Sequence, residues 1–215
     1  MNTDILCLQE AGDKTCLESL RKATGLNILI DDCGQTGLAV LSRYPAKQGG
    51  LVEYKTRSSL EPYIRKFLWF EIKTDQGELL VTNTHLAWKK GDDDTRSGQA
   101  SQLGAFLKGR EQNVLLCGDF NCEYSSAPLN NLRKQGFKDI LEGTRFENKP
   151  SWDNQNPFIQ SHHEKFPDRR IDLILAHPDF LKSHPLKEAR IEFQQPNPQG
   201  LYLSDHWGIV ADFQH

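Results

Sequence analysis

Residues 114–121 read VLLCGDFN, a short apolar run that ends in a glycine followed by polar residues. Such a run predicts a buried strand whose last residues lie at a sheet edge, where ligands of layered α/β folds usually bind. If the strand continues to its end, side-chain alternation places Asp119 and Asn121 on one side and turns Phe120 into the core. A carboxylate and a carboxamide at one spot suit metal-assisted attack on phosphorus. An Asx turn that only closes the strand is the alternative interpretation.

The composition is that of one globular domain over residues 1–215, with 37% hydrophobic and 26% charged residues. The formal net charge of −3 argues against a global basic field for long duplex nucleic acid, although it allows a local basic patch. No apolar stretch approaches the ~20 residues that span a bilayer, and the first residues lack a signal-peptide pattern. We therefore expect a cytoplasmic protein with no transmembrane segment. The odd number of cysteines speaks against a disulfide framework.

Two further predicted strands end in side chains that carry chemistry. The first apolar run of the chain ends at Glu10. Residues 67–72 and 79–86 are separated by a turn-forming interval and predict an antiparallel hairpin, and His85 lies near the end of its second strand. Considered alone, Glu10 is interpreted as an exposed acid at the start of a loop, and His85 as a hydrogen-bonded histidine with a structural role. At the same sheet edge as Asp119, they would form part of one site.

The last two predicted strands supply a carboxylate and an imidazole that could pair with each other. Residues 169–176 form an apolar strand interrupted by Asp172, and a buried carboxylate is costly unless it is paired. The final strand begins with Asp205 and His206, and Asp172 beside His206 would orient the imidazole and stabilise its charged form. Oxygen-rich sets of this kind select Mg²⁺ or Mn²⁺ over Zn²⁺. The residues favour hydrolysis at phosphorus, with a glycosidase or a carboxylate-sugar binder as the alternatives.

Other segments form the framework around these strand ends. Helical spacing predicts helices over residues 14–24 and 95–110, and an acidic triplet just before the second favours its positive end. The irregular stretch 144–168 predicts a long loop of the kind that carries specificity, and Trp152 lies in it. Arg43 follows an early strand, where it is either a solvated charge or a group that neutralises a phosphate.

A series of short motifs follows the chain from its first strand almost to its end. The motifs are Leu8-Gln9-Glu10, Asn83-Thr84-His85-Leu86, Gly118-Asp119-Phe120-Asn121, Arg170-Ile171-Asp172 and Ser204-Asp205-His206. In this order they resemble the motif series of the endonuclease/exonuclease/phosphatase superfamily, which includes deoxyribonucleases, abasic-site endonucleases and neutral sphingomyelinases. The resemblance implies an α+β fold, a four-layer α/β/β/α sandwich in which two mostly antiparallel sheets face one another.

Carried over residue by residue, the resemblance implies how a metal and a water would be held. Glu10 would hold the divalent ion, Mg²⁺ or Mn²⁺, and Asp205 would assist the metal or the neighbouring imidazole. Asp119 and Asn121 would position and activate the attacking water.

The resemblance also implies roles for the imidazoles and for substrate contacts. Asp172 and His206 would form an acid–imidazole pair, and we prefer His206 over Asp119 as the base that takes the proton. His85 would bind the phosphoryl oxygens or serve the leaving group. Substrate contacts are expected from Arg43, Arg96, Arg170 and Trp152.

One departure from the family pattern concerns the start of the chain. Family members normally begin with a strand that ends in an asparagine at the metal, whereas this sequence starts at Met1-Asn2-Thr3. We expect a single domain that lacks this first strand, through a truncated start, a strand supplied by another chain, or divergence to a weakened relative.

The expected function is divalent-metal-dependent hydrolysis of a phosphodiester or phosphomonoester by attack of water. A nuclease acting on DNA or RNA is one alternative. A non-catalytic relative that binds a phosphate ligand is the other.

Overall fold

The computed structural model describes residues 3–214 of the chain. The strands are β1 (Ile5–Leu8), β2 (Asn27–Asp31), β3 (Ala39–Ser42), β4 (Ala46–Glu53), β5 (Lys66–Thr74), β6 (Gly77–His85), β7 (Val114–Asp119), β8 (Lys138–Asp139), β9 (Asp172–Ala176), β10 (Leu186–Glu192) and β11 (Gly208–Phe213). The helices are α1 (Lys14–Thr24), α2 (Asp93–Leu107), α3 (Asn130–Lys134), α4 (Pro157–Gln160) and α5 (Pro178–Ser183). Met1 and Asn2 lie outside the described residues, so the expected lack of a first strand stays a prediction.

The larger sheet has six strands in the order β4-β5-β6-β7-β9-β8. β5 and β6 form the predicted hairpin, with Thr74 paired to Gly77 at its turn. β6 and β7 run parallel, and the other neighbouring pairs of this sheet are antiparallel. Because β6 and β7 run in one direction, with α2 between them in the chain, their carboxyl ends meet at the same sheet edge.

A second β layer faces this sheet and consists of two antiparallel pieces, β1-β3-β2 and β10-β11. Apolar side chains fill the space between the layers. Val40 on β3 and Ile191 on β10 belong to the same buried cluster as Phe70, Val81 and Leu115 of the larger sheet. The two β layers therefore share one continuous core.

Helices cover the outer faces of both β layers. Leu17 of α1 packs with Leu41 behind the smaller layer. Leu103 of α2 and Leu132 of α3 pack with Leu116 behind the larger sheet. The order of layers is α/β/β/α, which confirms the predicted four-layer sandwich.

The individual elements follow most sequence expectations, with corrections to two strand starts and two strands that were not predicted. β9 begins at Asp172 and not at residue 169, and β11 begins at Gly208, so Asp205 and His206 precede the final strand instead of beginning it. α1 has the predicted bounds, and α2 begins at Asp93 within the acidic triplet. Within residues 144–168, α4 is one short helix in otherwise irregular chain. The strands β4 and β10 were not predicted, because their sequences AKQGGLVE and LKEARIE are largely polar. Within residues 3–214, no helix combines the length and apolar character needed to cross a membrane.

Candidate active site

Three site residues lie in one row across the larger sheet. In the parallel pairing of β6 with β7, His85 is the partner of Asp119. In the antiparallel pairing of β7 with β9, Asp119 is the partner of Asp172. Side chains at paired positions point to the same face of a sheet. The register alone therefore collects an imidazole and two carboxylates from three distant parts of the sequence.

The end of β7 is shaped by its last residues. A Cβ atom at Gly118 would lie 2.2 Å from the carbonyl oxygen of Thr84, so only glycine allows β6 and β7 to approach this closely here. Phe120 is fully buried, as predicted. The strand ends at Asp119, and Asn121 adopts a left-handed conformation with φ of 51°, so the predicted alternation does not reach Asn121.

Asn121 holds the carboxylate of Asp119 from two sides. The backbone N–H of Asn121 donates to Oδ1 of Asp119 at 2.8 Å, and its Nδ2 donates to Oδ2 at 3.3 Å. The same Nδ2 donates to the carbonyl oxygen of Leu86 at 3.1 Å. The Asx turn and the polar site were alternative interpretations of this stretch, and the structure contains both. Asn121 is therefore a positioning residue for Asp119.

Glu10 reaches the row from the smaller β layer. Nδ2 of the buried Asn83 on β6 donates to the carbonyl oxygen of Leu8 at 2.8 Å, and Gln9 donates to Oδ1 of Asn83 at 2.5 Å. This clamp fixes the end of β1 against β6. Oε1 of Glu10 then lies 3.9 Å from Nε2 of His85, which is itself 3.4 Å from Oδ2 of Asp119.

Asp172 and His206 form a direct pair. Nδ1 of His206 lies 2.7 Å from Oδ2 of Asp172, and because a carboxylate only accepts, Nδ1 carries the proton. The hydroxyl of the buried Ser151 accepts from the backbone N–H of Asp172 at 3.1 Å and so fixes the start of β9. The Trp152 ring packs edge-on against the His206 ring with 5.2 Å between centroids. Nε2 of His206 is the ring nitrogen that takes no part in the contact with Asp172.

The charges of the row perturb one another. Burial and then the charge of Asp172 raise the pKa of Asp119 to about 7. Burial acts to lower the pKa of His206, but Asp172 outweighs it and raises that pKa to about 10. Burial holds the pKa of His85 well below its ordinary value of 6.5. With no cation present, the site therefore pairs a neutral His85 with a protonated His206.

The donors suit a hard divalent cation. Asp119, Asp172 and His206 offer ligand atoms within 4.8 Å of one another. Glu10 and Asp205, the expected metal ligands, both line a cleft of about 460 Å³ beside this cluster. Asp205 contacts His162 there, with 3.1 Å between its Oδ2 and Nε2 of the imidazole. Carboxylate oxygens dominate the set, which fits Mg²⁺ or Mn²⁺ better than Zn²⁺.

Two of the four expected substrate contacts lie elsewhere. Arg43 pairs with Asp4 at 3.0 Å, at the end of β3 opposite to the end that meets Leu8. Arg170 donates to the buried Asp139 and to the carbonyl oxygen of Glu147. The structure does not bring Arg43 or Arg170 to the row.

Arg96 and Trp152 lie beside the site, where they contact neighbouring protein groups. Arg96 donates to the carbonyl oxygens of Ala87 at 2.8 Å and of Lys89 at 3.1 Å, which braces the segment that follows His85. Trp152 is buried and contacts the His206 ring. Both residues position other groups in this structure.

The structure instead brings Arg169 to the site, a residue that the sequence analysis missed. Its backbone N–H and carbonyl pair with those of Trp152 at 3.0 Å each, and Trp152 also forms a backbone bridge to His206. Burial lowers the pKa of Arg169, and the nearby Asp119 carboxylate opposes that effect. The alternation of side chains along a strand could not have identified Arg169. β9 begins only at Asp172, so the alternation does not extend back to residue 169.

The fold and the site define a family of hydrolases that act on phosphoesters. The sequence model of the Endonuclease/Exonuclease/phosphatase family matches residues 1–206, so the chain belongs to this family. A comparison with curated protein sequences gave no match.

Solved structures share the fold at low sequence identity. TDP2 from D. rerio, crystallised with a single-strand DNA product, is 20% identical with a TM-score of 0.80, over 99% of this chain and 86% of that chain. Beta toxin from Staphylococcus aureus is 18% identical with a TM-score of 0.74, over 99% and 87%. Sphingomyelinase C from Streptomyces griseocarneus is 18% identical with a TM-score of 0.73, over 97% and 86%.

Proposed function

We propose that this protein is a divalent-metal-dependent phosphoesterase that hydrolyses its substrate by direct attack of water. The observation that carries the proposal is the row of His85, Asp119 and Asp172 with His206 hydrogen-bonded to its end. Family membership supports hydrolysis of a phosphoester. Beyond family membership, we propose the metal dependence, the roles of individual residues and the class of substrate.

In the proposed mechanism, residues at the strand ends hold the cation and position the attacking water. Glu10 and Asp119 would hold Mg²⁺ or Mn²⁺, with Asp205 at the mouth of the cleft. The bound cation would stabilise charge on the phosphoryl group, lower the pKa of the attacking water and offset the carboxylate field that keeps His206 protonated. Asn121 keeps the Asp119 carboxylate directed at that water.

The imidazoles act on protons and on the phosphoryl oxygens. Asp172 fixes the tautomer of His206, so that Nε2 exchanges a proton with the attacking water. His85 is neutral and buried, and its Nε2 lies between the carboxylates of Glu10 and Asp119, where it would contact the phosphoryl oxygens or the leaving group. Trp152 keeps the His206 ring in place.

Substitution of a proposed cation ligand and of the proposed base tests this mechanism. We expect Asp119→Asn and His206→Gln each to lower kcat for bis(p-nitrophenyl) phosphate with Mn²⁺ by roughly 10²- to 10⁴-fold, because the first removes a charged cation ligand and the second an acid–base group. Release of p-nitrophenolate measures the rate. Circular dichroism checks that each variant is folded.

The matched control is Asp75→Asn, which changes an exposed acid in the β5–β6 turn at the end of β6 opposite to His85. It should hydrolyse the substrate at the wild-type rate. Near wild-type turnover by folded Asp119→Asn or His206→Gln would refute the assigned roles. Absence of both metal binding and hydrolysis in the wild type would favour a non-catalytic phosphate-binding protein.

A nuclease is the second candidate, and one observation favours it. A cationic cleft lies beside the row, and nucleic acids present repeated phosphates to such a surface.

A further inference from the structure

The cleft beside the reaction centre is strongly cationic, although the whole chain has a formal net charge of −3. Its volume is about 270 Å³. Five cationic side chains and one carboxylate line it, namely Lys89, Lys90, Arg96, Lys165, Arg169 and Asp93. The carboxylate of Asp93 already pairs with Arg96 at 2.5 Å, so it neutralises none of the other cations directly.

Arg169 is the cation of the cleft that most needs a partner. Its guanidinium lies over the Phe166 ring, 4.1 Å from the centroid, and its Nε is buried without a hydrogen-bond partner. Among residues 3–214, no carboxylate is within ion-pair distance of Arg169. A partly buried charge without a counter-ion is unfavourable, so this geometry suits an anion that is supplied by a ligand.

Two lysines extend the same anion site. Lys90 is exposed, and Nζ of Lys165 donates to the carbonyl oxygen of Gln160 at 2.9 Å. Neither lysine has a carboxylate partner in the described part of the chain. Lys89, in contrast, pairs with Glu164 and is already neutralised. Arg169, Lys90 and Lys165 are therefore the cations left for a ligand.

The position of the cleft relative to the row decides which part of a substrate it would meet. Arg169 is held by Trp152 through paired backbone hydrogen bonds, and the Trp152 ring packs against both Phe166 and His206. The lining of the cleft includes none of the residues of the row and does not include His206. An anion held in the cleft by Arg169 would therefore lie beside the phosphoryl group at His206 and not at the same position.

We propose that Arg169, Lys90 and Lys165 bind a second phosphate of the substrate, adjacent to the phosphate that is hydrolysed. This inference rests on the proposed function and narrows its substrate to compounds with neighbouring phosphates. An oligonucleotide and a small polyphosphorylated compound share this chemistry. A lipid-like diester with a single phosphate would leave the charge of the cleft unbalanced.

A pair of substrates that differ by one phosphate tests the proposal. Thymidine 5′-(p-nitrophenyl phosphate) and its 3′-phosphorylated form have the same leaving group. We expect the wild type with Mn²⁺ to show a kcat/KM at least about tenfold higher for the 3′-phosphorylated form, the usual effect of a charge-assisted contact. The ratio should fall towards one in Arg169→Gln and partly recover in Arg169→Lys. Lys165→Ala should lower the ratio, whereas Lys187→Ala, an exposed lysine of β10, should keep it.

Binding without turnover provides an independent readout. With chelator present, calorimetry should show tighter binding of thymidine 3′,5′-bisphosphate than of thymidine 5′-phosphate, and Arg169→Gln should remove the difference. A short oligothymidylate that carries the same 5′-(p-nitrophenyl) ester and gains further in kcat/KM over the 3′-phosphorylated nucleotide identifies a polymer as the source of the second phosphate. Equal values identify a small polyphosphorylated compound, and both results support the site.

The outcomes separate this inference from the proposed function. Equal losses for both substrates in Arg169→Gln would place Arg169 on the reacting phosphate and overturn the inference. Hydrolysis of both substrates at one rate, with no difference in binding, would also overturn it while the proposed function stands. Lack of hydrolysis together with Arg169-dependent binding of the bisphosphate would overturn the proposed function and support the second phosphate site.

Discussion

His85 is the residue whose surroundings most restrict its chemistry. Its side chain is 3% exposed, and its Nδ1 is buried with no hydrogen-bond partner in the described structure. Burial, then the charges of Arg65 and of His206, hold its pKa well below the ordinary value. The ring is therefore neutral at physiological pH, so one of its nitrogens can donate a hydrogen bond while the other can accept one.

The same residue predicts how stability depends on pH in the metal-free protein. Below pH ~6.5 the unfolded chain protonates His85 while the folded protein does not, so the free energy of unfolding falls as the pH decreases towards the folded-state pKa. Urea denaturation in the presence of chelator, at pH 7.5 and 5.5, should show a smaller loss of stability for His85→Gln than for the wild type. Equal losses in the two proteins would contradict the neutral, buried imidazole.

The sequence anticipated Asp172 because it is a carboxylate within the otherwise apolar strand β9. Asp172 was expected to need His206, and the structure places these two side chains 2.7 Å apart. Arg170 and Arg169 could not be distinguished in this way. Both precede the first residue of β9, and their directions are set by tertiary contacts, with Asp139 for Arg170 and Phe166 for Arg169.

Among the elements, β7 depends on a single glycine for its place in the sheet. Gly118 has a φ of 149° and pairs with Thr84, whose carbonyl oxygen would be 2.2 Å from an added Cβ. Any side chain would separate β6 from β7 at the point where His85 and Asp119 are delivered. Close packing here serves the register of the site as well as stability.

Substitution of this glycine tests the contact. Gly118→Ala should lower the free energy of unfolding by more than about 3 kcal/mol, because steric overlap adds to the backbone strain. Gly34→Ala is the matched control, since an added Cβ at Gly34 meets no atom within 4 Å and should change stability little. Urea denaturation measures both variants. A loss no greater for Gly118→Ala than for Gly34→Ala would contradict this account of the β6–β7 contact.

Elements with strong local signals were predicted well, and those fixed by tertiary pairing were not. α1 has an Asp13 cap, an apolar stripe and Gly25 in the left-handed conformation at its end, so its bounds follow from the sequence. β4 contains Gly49 and Gly50 and few apolar residues, and its pairing with β5 holds it in place. Such a strand has no periodic pattern by which it could be found.

At the scale of the whole molecule, the two clefts near the row differ in the charge of their side chains. The row and its wider cleft collect the carboxylates of Glu10, Asp119, Asp172 and Asp205, while the narrower cleft collects lysines and arginines. The net charge of −3 averages these regions and reveals neither of them. A cation at the first region and a polyanionic substrate across both would balance the charges of the site.

The central claim is that these strand ends form one cation-dependent hydrolytic centre. Its most direct test is the rate of p-nitrophenolate release from bis(p-nitrophenyl) phosphate by wild-type protein in chelator, followed by titration with Mn²⁺ or Mg²⁺. We predict no release above the uncatalysed rate in chelator and a saturable return of activity as free metal rises. Release that is equally fast in chelator, or absent at every metal concentration, would contradict the claim.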